Sequence, residues 1–136
     1  MKKIVLDTSA LIRLYVPDGE IPSGLEEGLK AAWRAESTIL IPELALAEAV
    51  QVLWKKESAG YLTEKETDEI VTSILELPIE VVGHYDIIAD ALKISRKHNL
   101  TVYDSLFIVL AQKKGANLIT ADRKLRRVFE KNSKIS

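Results

Sequence analysis

A chain of 136 residues, 47% hydrophobic and 29% charged with a formal net charge of −1, has the balance of one globular domain over residues 1–136. That length suffices to bury about two-thirds of the unfolded surface. The composition excludes a disordered or membrane-embedded chain, and the absence of cysteine excludes a disulfide framework and any thiolate metal site, which suits a cytoplasmic setting.

Met1, Lys2 and Lys3 precede an apolar run, but Asp7 and Arg13 interrupt it before any secretory cleavage site, so Ile4 to Leu6 reads as a buried parallel strand. Thr8 to Val16 continues at helical spacing through Leu11, Leu14 and Tyr15. Pro17, Asp18, Gly19, Pro22, Ser23 and Gly24 mark a loop, followed by a helix over 25–35 and a strand over 38–41. Pro42 is placed to start a third helix, which carries Glu48 and ends near Gly60. Thr63 with Glu66 three residues later has the form of a capping box, so a helix covers 64–77 until Pro78 stops it. A strand over 79–82 and a helix over 86–97, stopped at Asn99, come next. Asp104 opens another helix that Gly115 closes, and a strand over 118–120 leads into a final helix over 122–131. Strands alternating with helices in this way predict an α/β sandwich around a parallel sheet.

Four acids stand in small or apolar surroundings. Asp7 follows Ile4, Val5 and Leu6; Asp122 follows Leu118, Ile119, Thr120 and Ala121; Asp104 precedes the apolar run from Leu106 to Ala111. Glu48 has Leu44, Ala45 and Val52 as its same-face helical neighbours. Burying unpaired carboxylates costs several kcal/mol per ion, so a shared divalent cation accounts for them economically. With two histidines in unrelated contexts, both read as surface residues, the donors are mainly oxygen, which favours Mg²⁺ or Mn²⁺. Asp7 and Asp122 fall just past strand ends, the edge where open parallel sheets hold ligands. Thr8, Ser9 and Thr120 add hydroxyls beside them.

Each acid also has a plainer reading. Asp is a preferred N-cap, and Asp7, Asp104 and Asp122 all sit near predicted helix starts. Independent caps, however, do not call for an acid on the buried side of a fourth helix, as Glu48 requires. Glu43 lies about 140° around that helix from Glu48 and reads as a first-turn residue favoured by the dipole.

The near-neutral charge conceals an asymmetry. Setting the four acids aside leaves 16 acidic against 19 basic residues, and Lys113, Lys114, Arg123, Lys124, Arg126, Arg127, Lys131 and Lys134 face only Asp122 and Glu130 in their segment. Arg123, Lys124, Arg126 and Arg127 are candidate phosphate contacts for a polyanion; a solvated helix face is the alternative. Trp33 and Trp54 read as core or interface rather than stacking platforms for bases, and Tyr85 and Tyr103 allow either role.

The ordered set Ile4-Val5-Leu6-Asp7-Thr8-Ser9, Pro42 to Val50 with Glu48, Tyr103-Asp104-Ser105, and Leu118-Ile119-Thr120-Ala121-Asp122-Arg123 resembles the PIN-domain family, over essentially the whole chain. In size it is most similar to the VapC ribonuclease toxins of prokaryotic toxin and antitoxin pairs. The resemblance implies a three-layer α/β/α sandwich and an Mg²⁺- or Mn²⁺-dependent endoribonuclease. It carries Asp7, Glu48, Asp104 and Asp122 over as catalytic metal ligands, with Ser9 and Thr120 as supporting hydroxyls. It further implies hydrolysis by a metal-activated water leaving a 5′-phosphate and a 3′-hydroxyl, a homodimer, and inhibition by a small antitoxin. A fifth acid found in some relatives after the last motif is missing, since Arg123 and Lys124 follow Asp122. A housekeeping RNA-processing nuclease and an inactive PIN-like binding module are the alternatives. A receiver domain or a D-x-D phosphatase fits poorly, because Leu6 precedes Asp7 and Ser9 follows at the second acid's position.

Overall fold

The computed structural model describes residues 2–17 and 19–135, and of residues 133–135 the backbone only. Met1, Asp18 and the Lys134 side chain, named above, lie outside what is described. Along the chain run β1 (Lys2–Leu6), α1 (Thr8–Arg13), α2 (Leu25–Trp33), β2 (Ser37–Pro42), α3 (Leu44–Ser58), α4 (Glu64–Glu76), β3 (Ile79–Val82), α5 (Ile88–His98), α6 (Val102–Lys114), β4 (Asn117–Ile119) and α7 (Arg123–Ile135). The strands pair in parallel in the order β3-β2-β1-β4, with helices on both sides, giving the expected α/β/α sandwich.

Consecutive strand residues point to opposite faces, so a strand covered on both sides must be apolar throughout. Ile4, Val5 and Leu6 of β1 and Ile39, Leu40 and Ile41 of β2 are accordingly all buried. Edge strand β3 is less covered, with Glu80 and Val81 exposed. On one face α2 comes close enough that a Cβ built on Gly28 would lie 2.6 Å from Ile4 Cδ1, so glycine sets that approach. Helix α6 packs across β1, β2 and β4, with Ser105 to Ala111 buried. A second apolar cluster joins Leu11, Ile12 and Val16 to Ala49 and Leu53 of α3 and Ile74 of α4.

The order of the strands locates the ligand edge. From β1 the chain steps to β2 and then β3 on one side, and returns to β4 on the other. The winding reverses between β1 and β4, where neighbouring connections leave in opposite directions and open a crevice past the carboxyl ends.

Several element ends depart from the sequence expectation. Helix α1 stops at Arg13 because Leu14 and Tyr15 donate to carbonyls three residues back, Leu11 and Ile12, which tightens the last turn. Pro42 closes β2 opposite Val82 instead of opening α3; the following Glu43 N–H donates to Val82 O at 2.8 Å, so the sheet needs no donor from the proline. Thr101 caps α6 through Asp104 N, which places Asp104 inside the first turn and not at the cap. The capping box of Thr63 and Glu66 is formed, and Asn99 and Gly115 both adopt the left-handed conformation that ends a helix. The histidines are not free surface residues: His84 is half-buried and its Nε2 accepts from Leu44 N at 3.1 Å, while His98 Nε2 lies 3.1 Å from Asn132 Nδ2. Trp33 and Trp54 are 61% and 54% exposed, so neither belongs to the core; the buried stripe of α3 runs through Ala45, Ala49 and Leu53, and Trp54 falls one position around from it.

Candidate active site

Asp7 occupies the turn from β1 into α1, at the reversal between β1 and β4. Its backbone is extended and its Oδ1 accepts from Ala10 N at 2.9 Å, so it does cap α1. It is far more buried than a cap needs to be, at 4% exposure. The same Oδ1 also accepts from Ser9 Oγ at 2.7 Å, and Oδ2 accepts from Thr120 Oγ1.

The two hydroxyls have their other valences committed as well. Ser9 Oγ accepts from Ala121 N at 3.0 Å and Thr120 Oγ1 accepts from Asp122 N at 2.9 Å. Ser9 and Thr120 thus tie the turn after β1 to the turn after β4, and they position Asp7 by donating to it. Asp122 then caps α7, its Oδ1 accepting from Lys124 N at 2.9 Å and Leu125 N at 3.1 Å.

Glu48 reaches the same crevice from α3. Thr8 Oγ1 donates to its Oε1 at 2.7 Å, which fixes the carboxylate against the start of α1. Asp104 arrives from the first turn of α6. The four acids come from four separate elements and line a single cavity of about 320 Å³, whose remaining walls include Ile12, Val52 and Phe107. Glu43 is exposed and is not among its lining residues, as its position around the helix predicts.

Crowding acidic groups against an apolar wall has an electrostatic signature. Burial pushes the Asp7 carboxyl above its ordinary value of 3.8, and the charge of Asp122 adds to this, against the opposing hydrogen bonds from Thr120, Ala10 and Ser9. Asp104 is raised by burial and then by Asp122, with Thr101 and the charge of Lys124 working the other way. Both shifts have the direction that burial and a neighbouring carboxylate impose on an acid, and a bound cation would oppose them.

Among the described residues no three Asp, Glu or His side chains converge closely enough to enclose an ion by themselves. The donor set still fits a small hard cation, because Mg²⁺ keeps several waters and binds through one or two carboxylates with substrate phosphate completing the shell. A pocket of this volume whose acceptor groups are carboxylates and hydroxyls has room for such waters. A thiolate- or imidazole-preferring metal finds no donor in it.

The basic candidates do not act as one patch. Lys124 and Arg127 line a groove of about 610 Å³ beside Lys97, His98 and Lys131. Arg123 and Arg126 instead line a cleft of about 480 Å³ under residues 20–23. None of the four is among the residues lining the acidic cavity. A residue not singled out by the motifs does line it: Arg13, one helical turn after Ser9 on α1. That spacing was the available signal.

The PIN-domain family model matches residues 4–131. A Pyrobaculum aerophilum protein named Ribonuclease VapC3 is 33% identical over 129 residues, covering 93% of this chain and 95% of the relative. A Mycobacterium tuberculosis protein of the same name is 27% identical over 128 residues, covering 94% of this chain and 88% of its own length. The crystal structure of PAE2754 from Pyrobaculum aerophilum shares the fold with a TM-score of 0.73 at 23% identity, covering 93% of this chain and 79% of that one. That of Mycobacterium tuberculosis VapC20, described as a sarcin–ricin loop cleaving toxin, gives 0.63 at 16% identity, covering 91% and 93%.

Proposed function

The chain belongs to the PIN-domain family, and from that premise we propose that it is a metal-dependent endoribonuclease whose catalytic and metal-binding residues are Asp7, Glu48, Asp104 and Asp122. The observation that carries this reading is the meeting of those four carboxylates, from four elements, in one cavity at the reversal point of a parallel sheet. Support for RNA as substrate comes from the two relatives named as ribonucleases.

Phosphodiester hydrolysis needs negative charge neutralised at the phosphoryl oxygens and a water made nucleophilic near neutral pH. Bound Mg²⁺ or Mn²⁺ supplies both. The chain's own residues set the geometry for this. Ser9, Thr120 and Ala10 N–H hold both oxygens of Asp7 in one orientation. Thr8 does the same for one oxygen of Glu48. Asp104 and Asp122 are carried on a helical first turn and a cap, rigid mounts that leave little reorientation when substrate arrives. Ile12, Val52 and Phe107 give the cavity an apolar wall, and the burial of Asp7 beside it strengthens electrostatic interaction at that carboxylate. The scission leaves a 5′-phosphate and a 3′-hydroxyl.

In the same reading the chain is the cytoplasmic toxin of a VapBC-type pair, a homodimer restrained by a small antitoxin. The toxin description of one structural neighbour supports the role. Cleavage of a fluorogenic single-stranded RNA under Mg²⁺ or Mn²⁺ titration tests the chemistry. The parent cuts in proportion to bound metal and Asp7→Asn and Asp104→Asn do not; equal cleavage by parent and variants overturns the assignment. Induced expression tests the biology. Growth arrest relieved by co-expressing a small antitoxin encoded beside it supports the toxin role, and unimpaired growth with active enzyme, or no such reading frame, returns the chain to housekeeping RNA processing.

A further inference from the structure

Among the described residues, the buried side-chain nitrogen or oxygen left without a hydrogen-bond partner is Arg13 Nε. A guanidinium N–H withdrawn from water and given no acceptor is costly. Among the described residues Arg13 also forms no ion pair.

Its location suggests what would satisfy it. Arg13 lines the acidic cavity and also the adjoining 480 Å³ cleft, and Asp122 is likewise shared by both. Residues 19–23 pass over it; a Cβ built on Gly19 would lie 3.1 Å from Arg13 Nη2. Across the cleft stand Arg123 and Arg126, three residues apart and so on one face of α7. Among the described residues Arg126 pairs with Glu130, at 3.3 Å and exposed, the kind of contact readily exchanged for another anion.

We propose that Arg13, Arg123 and Arg126 form a phosphate subsite that grips the backbone of single-stranded RNA next to the scissile bond. This rests on the ribonuclease reading above and adds the path of the strand. The guanidinium fork matches phosphate oxygens in pairs, and three such groups beside the acidic cavity give the substrate a defined exit. The 610 Å³ lysine groove is a weaker candidate for the adjacent phosphate. It shares no lining residue with the acidic cavity, and Lys124 and His98 already have partners in Asn99 O and Asn132; the arginine cleft also holds carboxylates, Glu20 and Asp122, which its three guanidinium groups outnumber.

Binding of a fluorescein-labelled single-stranded RNA to the Asp104→Asn chain, followed by anisotropy across a salt series, measures the subsite without turnover. Arg13→Gln weakens binding about tenfold and lowers the slope of log affinity against log salt by about 0.7, the counterions of one phosphate contact. Arg13→Lys retains the slope and recovers part of the affinity, which a merely structural arginine does not explain. Arg123→Gln, on the surface, gives the same loss of slope even if Arg13→Gln fails to fold. Lys97→Ser in the lysine groove leaves both quantities unchanged. Parent affinity and slope in folded Arg13→Gln, or in Arg123→Gln, overturn the subsite. Arginine-dependent binding by a parent chain that cuts no RNA overturns the nuclease reading and leaves the subsite standing.

Discussion

Where β1 and β4 end, the chain turns through Asp7, Thr120 and Asp122, and a buried carboxylate accepts from two hydroxyls and a backbone N–H. Where β2 and β3 end, on the same edge of the same sheet, it turns through Pro42, Glu43 and His84. There Glu43 points to solvent, its N–H bonds Val82 O, and His84 accepts from Leu44 N, so the turn answers its own hydrogen-bonding needs. The first turn holds its charge out of water; the second leaves its charge, on Glu43, in solvent. An acid at a strand end is therefore not a site by itself. What separates the two ends is burial and the reversal of strand order, which opens a crevice only between β1 and β4.

Four experiments press on that contrast, beginning with the largest effect. Asp7→Asn or Asp104→Asn reduces metal-dependent RNA cleavage to background, whereas Glu43→Gln leaves the rate of the parent; a rate loss in Glu43→Gln would mean that the two ends work together. Next, Thr120→Val removes the proton received by Asp7 Oδ2 and the acceptor used by Asp122 N, and lowers cleavage about 10–100-fold with the fold retained, read by steady-state kinetics and circular dichroism. His84→Ala strands the Leu44 N–H and lowers unfolding free energy by about 1 kcal/mol in urea titration, without a change in kcat. Finally, stability is followed against pH in chelator. Because the folded-state values of Asp7 and Asp104 lie above the ordinary 3.8, the folded chain binds protons the unfolded chain has released. Their contribution thus makes the metal-free chain lose stability as pH rises from 3.8 through those raised values, and Asp7→Asn reduces that slope. Saturating Mg²⁺ restores stability at neutral pH, and a metal-independent melting profile would mean that the acidic end needs no cation.

Much of this contrast was legible in the residues. Ile4, Val5 and Leu6 ahead of Asp7 declare a strand buried on both faces that ends in an acid, and Leu44, Ala45 and Val52 around Glu48 declare its inward face. The start of α6 was misplaced because Thr101 and Asp104 are both good caps, and only the fold shows which hydroxyl or carboxylate turns back onto the backbone. The basic run looked like one patch. Helical spacing separates Arg123 and Arg126 from Lys124 and Arg127, but which neighbour each pair faces depends on α5 and on residues 20–23, far away in the sequence. Beyond its spacing from Ser9, Arg13 carries no distinct signal in the sequence, because a basic residue in a last helical turn already has a sufficient local reason in the dipole. Of the two roles read for the tryptophans, core or interface, exposure removes the first, since size and hydrophobicity say nothing about where a helix stops being covered.

The stitch between Thr120 and Asp7 joins residues 113 apart, and that between Ala121 and Ser9 spans 112. Contacts of such long range form only after most of the intervening chain has been ordered, and loop closure must precede them. On the ribosome the first strand is made at once with Ser9 beside it, yet Asp7 Oδ2 has no partner hydroxyl until Thr120 emerges after β4 at the other end of the message. The orientation of Asp7 is thus completed only by the last strand, and a chain truncated before β4 lacks both Thr120 and Asp122.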